Sequence, residues 1–164
     1  MRLPVLFFIC LFFFALSACN FKEKRAKEYH DNILQSVQQV IDNSLDYADA
    51  VQSYKKSEAQ RGYEKYSALV NSTLLKLEKL KDFEGDTTME YYSKELLNFY
   101  KQSLQNNIQP FLQSVEQETF SPKEVQTADS LITDFNMSEN QYWERFNWAE
   151  KKFYKEQGLF KVEK

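Results

Sequence analysis

Residues that break helices are scarce along this chain, and this scarcity most constrains its fold. Its 164 residues include three glycines and three prolines. Between them, apolar side chains recur at intervals of three and four residues, which places them on one face of an α-helix. Strands would require alternating apolar and polar residues and many more turn residues. The sequence therefore predicts an all-α protein.

Three candidate helix starts divide the chain beyond its apolar N-terminal stretch into four amphipathic segments. The starts are the capping-box pairs Ser57–Gln60, Thr87–Glu90 and Ser121–Glu124. Gly85 is the expected stop of the second segment. Each apolar stripe must be buried against the others to stabilise its helix, and short connections favour neighbours that run in opposite directions. We therefore expect an antiparallel up-down-up-down four-helix bundle over residues 28–164.

Two positions are expected to disturb these helices. Pro110 lies inside the third segment, where it removes a hydrogen bond and clashes with the carbonyl group of Asn106, so the sequence predicts a kink. In the fourth segment, Ser138 and Gln141 form another cap pattern. This pattern indicates that the helix is interrupted there and restarts.

The N-terminal stretch LPVLFFICLFFFALSAC is intensely apolar and ends at Cys19. Arg2 supplies a positive start, and Ser17 and Ala18 are the small residues that precede a signal-peptide cleavage site. The stretch is slightly shorter than the roughly 20 residues that a spanning helix needs. We therefore predict a cleaved signal peptide over residues 1–18. The alternatives are a retained membrane helix and an ordinary signal peptide with an incidental cysteine.

The four residues LSAC at 16–19 resemble the lipobox of bacterial lipoproteins. The resemblance implies that Cys19 is acylated, becomes the first residue of the mature chain and holds the protein on a membrane. Asn20 follows the cysteine, and under the sorting rule of enteric bacteria this favours the outer membrane. Residues 19–27 then form a charged tether. Its cations either approach an anionic membrane surface or lie on the solvated first turn of a helix.

The composition argues against several kinds of chemistry. A net charge of −3 provides no basic field for nucleic acid. Cys10 is lost with the signal peptide and an acylated Cys19 has no free thiol, so neither serves as a nucleophile or metal ligand. His30 is the single histidine, and the paired Glu-x-x-His motifs of di-iron bundles are absent. We predict that His30 is exposed, that there is no cofactor or metal and that the protein is not an enzyme.

Aromatic residues are in surplus, and some lie off the apolar stripes. By helical geometry, Trp148 points about 200° away from the stripe residue Phe146, and basic residues surround it. Tyr91 is similarly displaced from its stripe. Aromatic residues and arginine are enriched at interaction hot spots. We therefore predict a candidate interaction surface from Trp148, Trp143 and Tyr91. The alternative is a tryptophan folded over neighbouring aliphatic stems.

The segment LEKLKDFEGDTTMEYYSKELLNFY, residues 77–100, resembles a stretch of small uncharacterised bacterial surface lipoproteins. The matching residues are Leu77, Leu80, Phe83, Gly85, Asp86, Thr87, Leu96, Phe99 and Tyr100. In that family the pattern marks the turn between two helices of a bundle. The resemblance implies a helical bundle on a lipid anchor and implies no known activity.

These observations predict a lipid-anchored envelope protein that acts as a non-enzymatic interaction or structural module. Its partner would be an envelope or extracellular protein, and it would lie at the outer membrane, on the periplasmic face or the cell surface. The alternative is a carrier or sensor of an apolar small ligand held within the bundle, where Pro110 opens the third helix. The expected lining of that ligand site is Phe99, Ile108, Phe111 and Phe135.

Overall fold

The computed structural model describes residues 3–159 of the chain, with side chains from residue 21 onward. The described part forms four helical segments and contains no strand, which confirms the predicted all-α helical bundle. The helices are α1 Leu3–Val51, α2 Lys56–Glu78, α3 Thr88–Ser103, α4 Gln109–Ser114 and α5 Pro122–Glu156, and α3 and α4 together form the third segment. A π-helical turn, Leu104–Ile108, joins α3 to α4. The predicted signal peptide and the Cys19 lipidation site lie outside the described side chains.

All four segments contribute apolar side chains to one core. In its middle, the ring of Tyr66 lies 5.1 Å from that of Tyr47 and 6.1 Å from that of Tyr100. Phe135 contacts both Tyr47 and Tyr100 from α5. Burying each large apolar side chain stabilises the fold by roughly 1.5–3 kcal/mol before entropy is counted. The stripes seen in the sequence therefore meet as expected.

Two sets of contacts define the ends of the bundle. At the first end, the part of α1 around residues 21–27 meets the α2–α3 turn, and Lys22 pairs with Glu84 at 2.8 Å. At the second end, the two remaining connections meet, and the amide of Phe120 donates to the carbonyl group of Tyr54. Over the part of the chain with described side chains, no helix combines the length and apolar character needed to cross a membrane.

The helix α1 passes through the predicted tether without a break. Its sequence FKEKRAK at 21–27 contains good helix formers and neither glycine nor proline, so nothing stops the helix there. Ala26 is fully buried, and Arg25 lies over the rings of Phe21 and Phe83. The described part of the predicted tether, residues 21–27, is therefore helical and packs on the α2–α3 turn. It continues into the rest of α1 without a change of secondary structure at residue 27.

One of the three predicted capping boxes is confirmed. The Ser121 hydroxyl accepts from the amide of Glu124, and the Glu124 carboxylate accepts from the amide of Ser121 at 2.7 Å. Pro122 occupies the first turn of α5, where its missing N–H group costs nothing. The start of the last long helix was therefore encoded locally.

The other two capping boxes are wrong. The N-cap of α2 is Lys55, without a side-chain hydrogen bond, because the Ser57 hydroxyl instead donates to Glu118 from the α4–α5 connection. Thr87 is the N-cap of α3 but makes no side-chain cap either. Asp86 accepts the hydrogen bond of the Thr88 amide at 2.8 Å in its place. Gly85 has φ +87°, but the prediction that it stops the second segment is wrong: α2 ends at Glu78 with Lys79 as its C-cap, and Gly85 lies in the tight turn between Phe83 and Asp86.

The two predicted disturbances have different outcomes. The π-helical turn ends at Ile108, two residues before Pro110, and its wider spacing accommodates the missing N–H group and the bulk of the proline ring. A local distortion therefore occurs where it was expected. The restart at Ser138 is wrong, because α5 continues through it. Met137 and Ser138 are exposed and neither is a helix breaker, so the preceding turns propagate the helix.

Candidate functional site

Three aromatic side chains from α3 and α5 form a connected surface, which we call the aromatic surface: Tyr91, Tyr92 and Trp148. The rings of Tyr91 and Tyr92 lie 5.1 Å apart, and those of Tyr92 and Trp148 lie 5.6 Å apart, both edge to face. Tyr91 and Trp148 are each 54% exposed. The structure therefore brings together two of the three predicted surface residues through Tyr92, which the sequence analysis missed.

Helix geometry explains why these side chains face solvent. Trp148 lies between Phe146 and Ala149 in the sequence of α5. Both of these residues are fully buried, so the Trp148 side chain points away from the core. The Nζ atom of Lys152 lies 5.7 Å from the Trp148 ring and donates to the Thr88 hydroxyl at 3.1 Å. Lys152 therefore covers part of the indole and links α5 to the start of α3, while half of Trp148 stays accessible.

A shallow cavity of about 430 Å³ lies beside the aromatic surface. It is lined by Tyr92, Gln141, Glu144, Arg145 and Trp148. The Tyr91 hydroxyl donates to Glu95 at 2.9 Å, and this hydrogen bond raises the pKa of Tyr91. Arg145 lies 3.9 Å from the same carboxylate. The arrangement combines an aromatic platform with hydrogen-bond donors and acceptors at its edge, as protein interfaces do.

Trp143 does not join the aromatic surface. It is half-buried, and its ring stacks on Phe146 at 5.4 Å and packs against the core. Its position five residues before Trp148 turns it about 140° away around α5.

His30 is buried, and the prediction that it is exposed is wrong. It is 1% exposed, with Nδ1 2.9 Å from Asp31 and Nε2 3.0 Å from Glu150 on α5. The ring of Tyr154 meets the imidazole edge to face. His30 lies four residues after Ala26 and three before Ile33, so its stripe position was a signal that the sequence analysis overlooked.

A second cavity, of about 370 Å³, lies between α1 and α2 near the second end, and we call it the α1–α2 cavity. Its walls are Asn43, Asp46, Tyr47, Ala50, Ser57, Glu58, Arg61, Gly62, Lys65 and Tyr66. No motif connects these residues, so sequence reasoning did not find it. Neither cavity is lined by the four residues expected around an apolar ligand, and two of these, Phe99 and Phe135, contact each other at 5.5 Å.

Within the described residues, no group of three or more histidine, cysteine, aspartate or glutamate side chains is placed to hold a metal ion.

The fold and the site together define an all-α helical bundle with an exposed aromatic surface at one end. Comparisons of the chain with protein-family models, with curated proteins and with solved structures found no match.

Proposed function

We propose that this chain is a lipid-anchored protein of the bacterial cell envelope, a non-enzymatic interaction module that binds a partner protein through the aromatic surface. The observation that carries the proposal is the exposure of Trp148 and Tyr91, joined by Tyr92 beside a shallow cavity with a charged edge. Tryptophan, tyrosine and arginine dominate the binding energy of protein interfaces.

The aromatic surface is already ordered, which favours binding. Trp148 is held by Tyr92 on one side and by Lys152 on the other. A partner that covers it would therefore lose little side-chain entropy, which costs about 0.5–1.5 kcal/mol for each mobile side chain that an interface immobilises. Two half-exposed large aromatic side chains then supply apolar area to bury.

The proposed anchor is the lipid on Cys19, which gains about 0.8 kcal/mol for each buried methylene. Ala26 already packs in the bundle, and a helix rises about 10 Å between residues 19 and 26. The bundle would thus be held close to the membrane by its first end. Tyr91 lies in the first turn of α3 and Trp148 lies near the end of α5, so the aromatic surface lies in that same half of the bundle. This placement favours a partner that is itself held at the outer membrane.

Two measurements in a bacterium expressing the full chain test the proposal. For the anchor, metabolic labelling with a fatty acid should label the chain, and Cys19→Ser should abolish the label. For the surface, a photo-crosslinking amino acid at Tyr91 should give one discrete protein adduct that is lost on Trp148→Ala. The same crosslinker at Lys123, an exposed residue at the second end, is the matched control. An unlabelled chain refutes the anchor, and adducts that are independent of Trp148 refute the surface.

A further inference from the structure

The part of α1 next to the proposed anchor carries an exposed aromatic ring and an excess of positive charge. Phe21, two residues after Cys19, is 64% exposed. The stretch FKEKRAK at 21–27 contains four cations and one carboxylate, a net charge of +3 in a chain whose net charge is −3. Four exposed side chains of this stretch form what we call the neck surface: Phe21, Lys24, Arg25 and Lys27.

The cations of the neck surface are only weakly engaged within the bundle. Lys24 reaches Glu28 at 3.8 Å with both side chains more than 60% exposed, and a pair of this kind contributes little. Arg25 and Lys27 make no close ion pair with any residue whose side chain the structure describes. Three cations are therefore available to an anionic partner from outside the chain.

Arg25 is positioned by two aromatic rings. Its guanidinium carbon lies 5.9 Å from the centre of the Phe21 ring and 5.7 Å from that of Phe83, which is buried in the α2–α3 turn. A cation over a ring is attracted by the ring face, and this contact leaves the N–H groups of the guanidinium for an oxygen ligand. Their planar arrangement suits a phosphate group. Arg25 is therefore held ready to bind a phosphate.

The distribution of charge over the molecule favours contact of the first end with an anionic surface. Beside the neck surface, residues 79–86 carry two lysines and three carboxylates, and residues 150–156 at the end of α5 carry three lysines and two carboxylates. Together with residues 21–27 these stretches have a net charge of +3, so the rest of the chain has a net charge of −6. An anionic surface would attract the first end and repel the remainder.

We propose that the neck surface docks on an anionic phospholipid membrane, with Phe21 at the boundary between headgroups and acyl chains and Arg25 on a lipid phosphate. The inference rests on the proposed function, because the lipid on Cys19 sets where the membrane begins. A helix rises about 1.5 Å per residue, so Lys24 to Lys27 lie about 8–12 Å from Cys19 along α1. Helical side chains tilt towards the N-terminus, so these cations reach back towards the headgroups. Apolar and basic side chains are combined in this way in helices that bind membrane surfaces.

The test places a tryptophan at the neck of the full chain through Phe21→Trp, in a background of Trp143→Phe and Trp148→Phe. The chain is reconstituted in vesicles of phosphatidylcholine alone or of an equal mixture with phosphatidylglycerol, both with brominated acyl chains that quench a nearby indole. We expect strong quenching in the mixed vesicles and weak quenching in phosphatidylcholine, because three cations shift docking about a hundredfold towards an anionic surface. Salt at about 1 M should remove the difference, since it shortens the screening length to about 3 Å.

Two variants of the same chain show which cations carry the effect. The first exchanges the three cations of the neck surface for glutamine, and it should lower the quenching in mixed vesicles to the level in phosphatidylcholine. The second is the matched control, which exchanges three exposed lysines away from the neck and should keep the quenching of the parent chain. These control exchanges are Lys55→Gln, Lys65→Gln and Lys123→Gln. Circular dichroism verifies that each variant is folded.

The proposal is overturned by equal quenching in the two kinds of vesicle, or by a neck variant that keeps the quenching of the parent chain. Fatty-acid labelling of Cys19 decides the anchor separately. A labelled chain without charge-dependent quenching keeps the anchor and refutes the docking. An unlabelled chain with charge-dependent quenching refutes the lipid and keeps the docking, since the apolar stretch at 3–18 would then hold the chain in the vesicle.

Discussion

The Nε2 atom of His30 lies 3.0 Å from a carboxylate oxygen of Glu150, 120 residues further along the chain. The contact joins α1 to α5 near the first end of the bundle. Asp31 takes the other ring nitrogen, so one buried imidazole lies between two carboxylates. Burying a polar group is costly unless its hydrogen bonds are made, which makes this contact a sensitive point of the fold.

We expect His30→Ala to lower the free energy of unfolding by about 2–4 kcal/mol, because it leaves Glu150 without its partner and opens a gap beside Tyr154. Urea unfolding followed by circular dichroism measures the change. In a double-mutant cycle with Glu150→Gln, the two losses should fail to add, since both remove the same contact. Additive losses would show that the two residues do not interact.

Trp148→Ala should change stability by no more than about 1 kcal/mol, because the side chain is half-exposed and its main packing is the edge contact with Tyr92. The matched control is Phe146→Ala on the same helix, where a fully buried ring is lost at a cost of about 3–5 kcal/mol. Thermal and urea unfolding of both variants give the comparison. A loss at Trp148 as large as that at Phe146 would rule out a role confined to the surface.

Gly62→Ala should destabilise the bundle, because the new methyl group would lie 2.5 Å from the Cβ atom of Ala50. The expected cost of the clash is about 1–3 kcal/mol, and the better helix propensity of alanine offsets about 1 kcal/mol of it. Adding Ala50→Gly removes the opposing methyl group and should make Gly62→Ala nearly harmless or stabilising. If the effect of Gly62→Ala is the same in both backgrounds, the close crossing of α1 and α2 is not present in solution.

Tyr47→Phe and Tyr100→Phe should have opposite effects on stability. The Tyr47 hydroxyl has no hydrogen-bond partner among the described residues, so its removal should stabilise the protein by about 1 kcal/mol. Tyr100 is buried and its hydroxyl donates to Glu139. Burial and this hydrogen bond both raise the pKa of Tyr100. Its removal should cost about 1–2 kcal/mol. Urea unfolding of the two variants measures both changes in the free energy of unfolding. Changes of the same sign and size would contradict the different hydrogen bonding of the two hydroxyl groups.

Ser121→Ala should cost about 1 kcal/mol through loss of the confirmed cap of α5. The Ser121 hydrogen bonds lower the pKa of Glu124 in the folded state. The stabilisation from Glu124 is therefore complete above its ordinary value of 4.5 and is lost as the pH falls through the lowered folded value. Urea unfolding at several acidic pH values should show a weaker pH dependence in Ser121→Ala. A parallel pH profile would show that the capping box does not form.

The sequence by itself determined the helices. Stripe spacing and the scarcity of glycine and proline predicted four helical segments, the Ser121–Glu124 pair predicted the cap of α5, and Pro110 predicted a kink in the third segment. All of these are local properties of the sequence. The capping boxes at Ser57 and Thr87 failed because neighbouring carboxylates form the hydrogen bonds at these two helix starts. Glu118 reaches Ser57 from another part of the chain, and Asp86 lies one residue before Thr87 and takes its role.

The candidate site was only partly within reach of the sequence. Helical periodicity fixes the direction of each side chain around its own axis, so it predicted that Trp148 and Tyr91 lie off the apolar stripes, but it left open whether Trp148 is exposed or folded over neighbouring side chains. It does not fix which helix packs against which face. The joining of Tyr91 to Trp148 through Tyr92, the burial of His30 beside Glu150 and the α1–α2 cavity were therefore decided by the tertiary structure alone, through contacts between residues far apart in the chain.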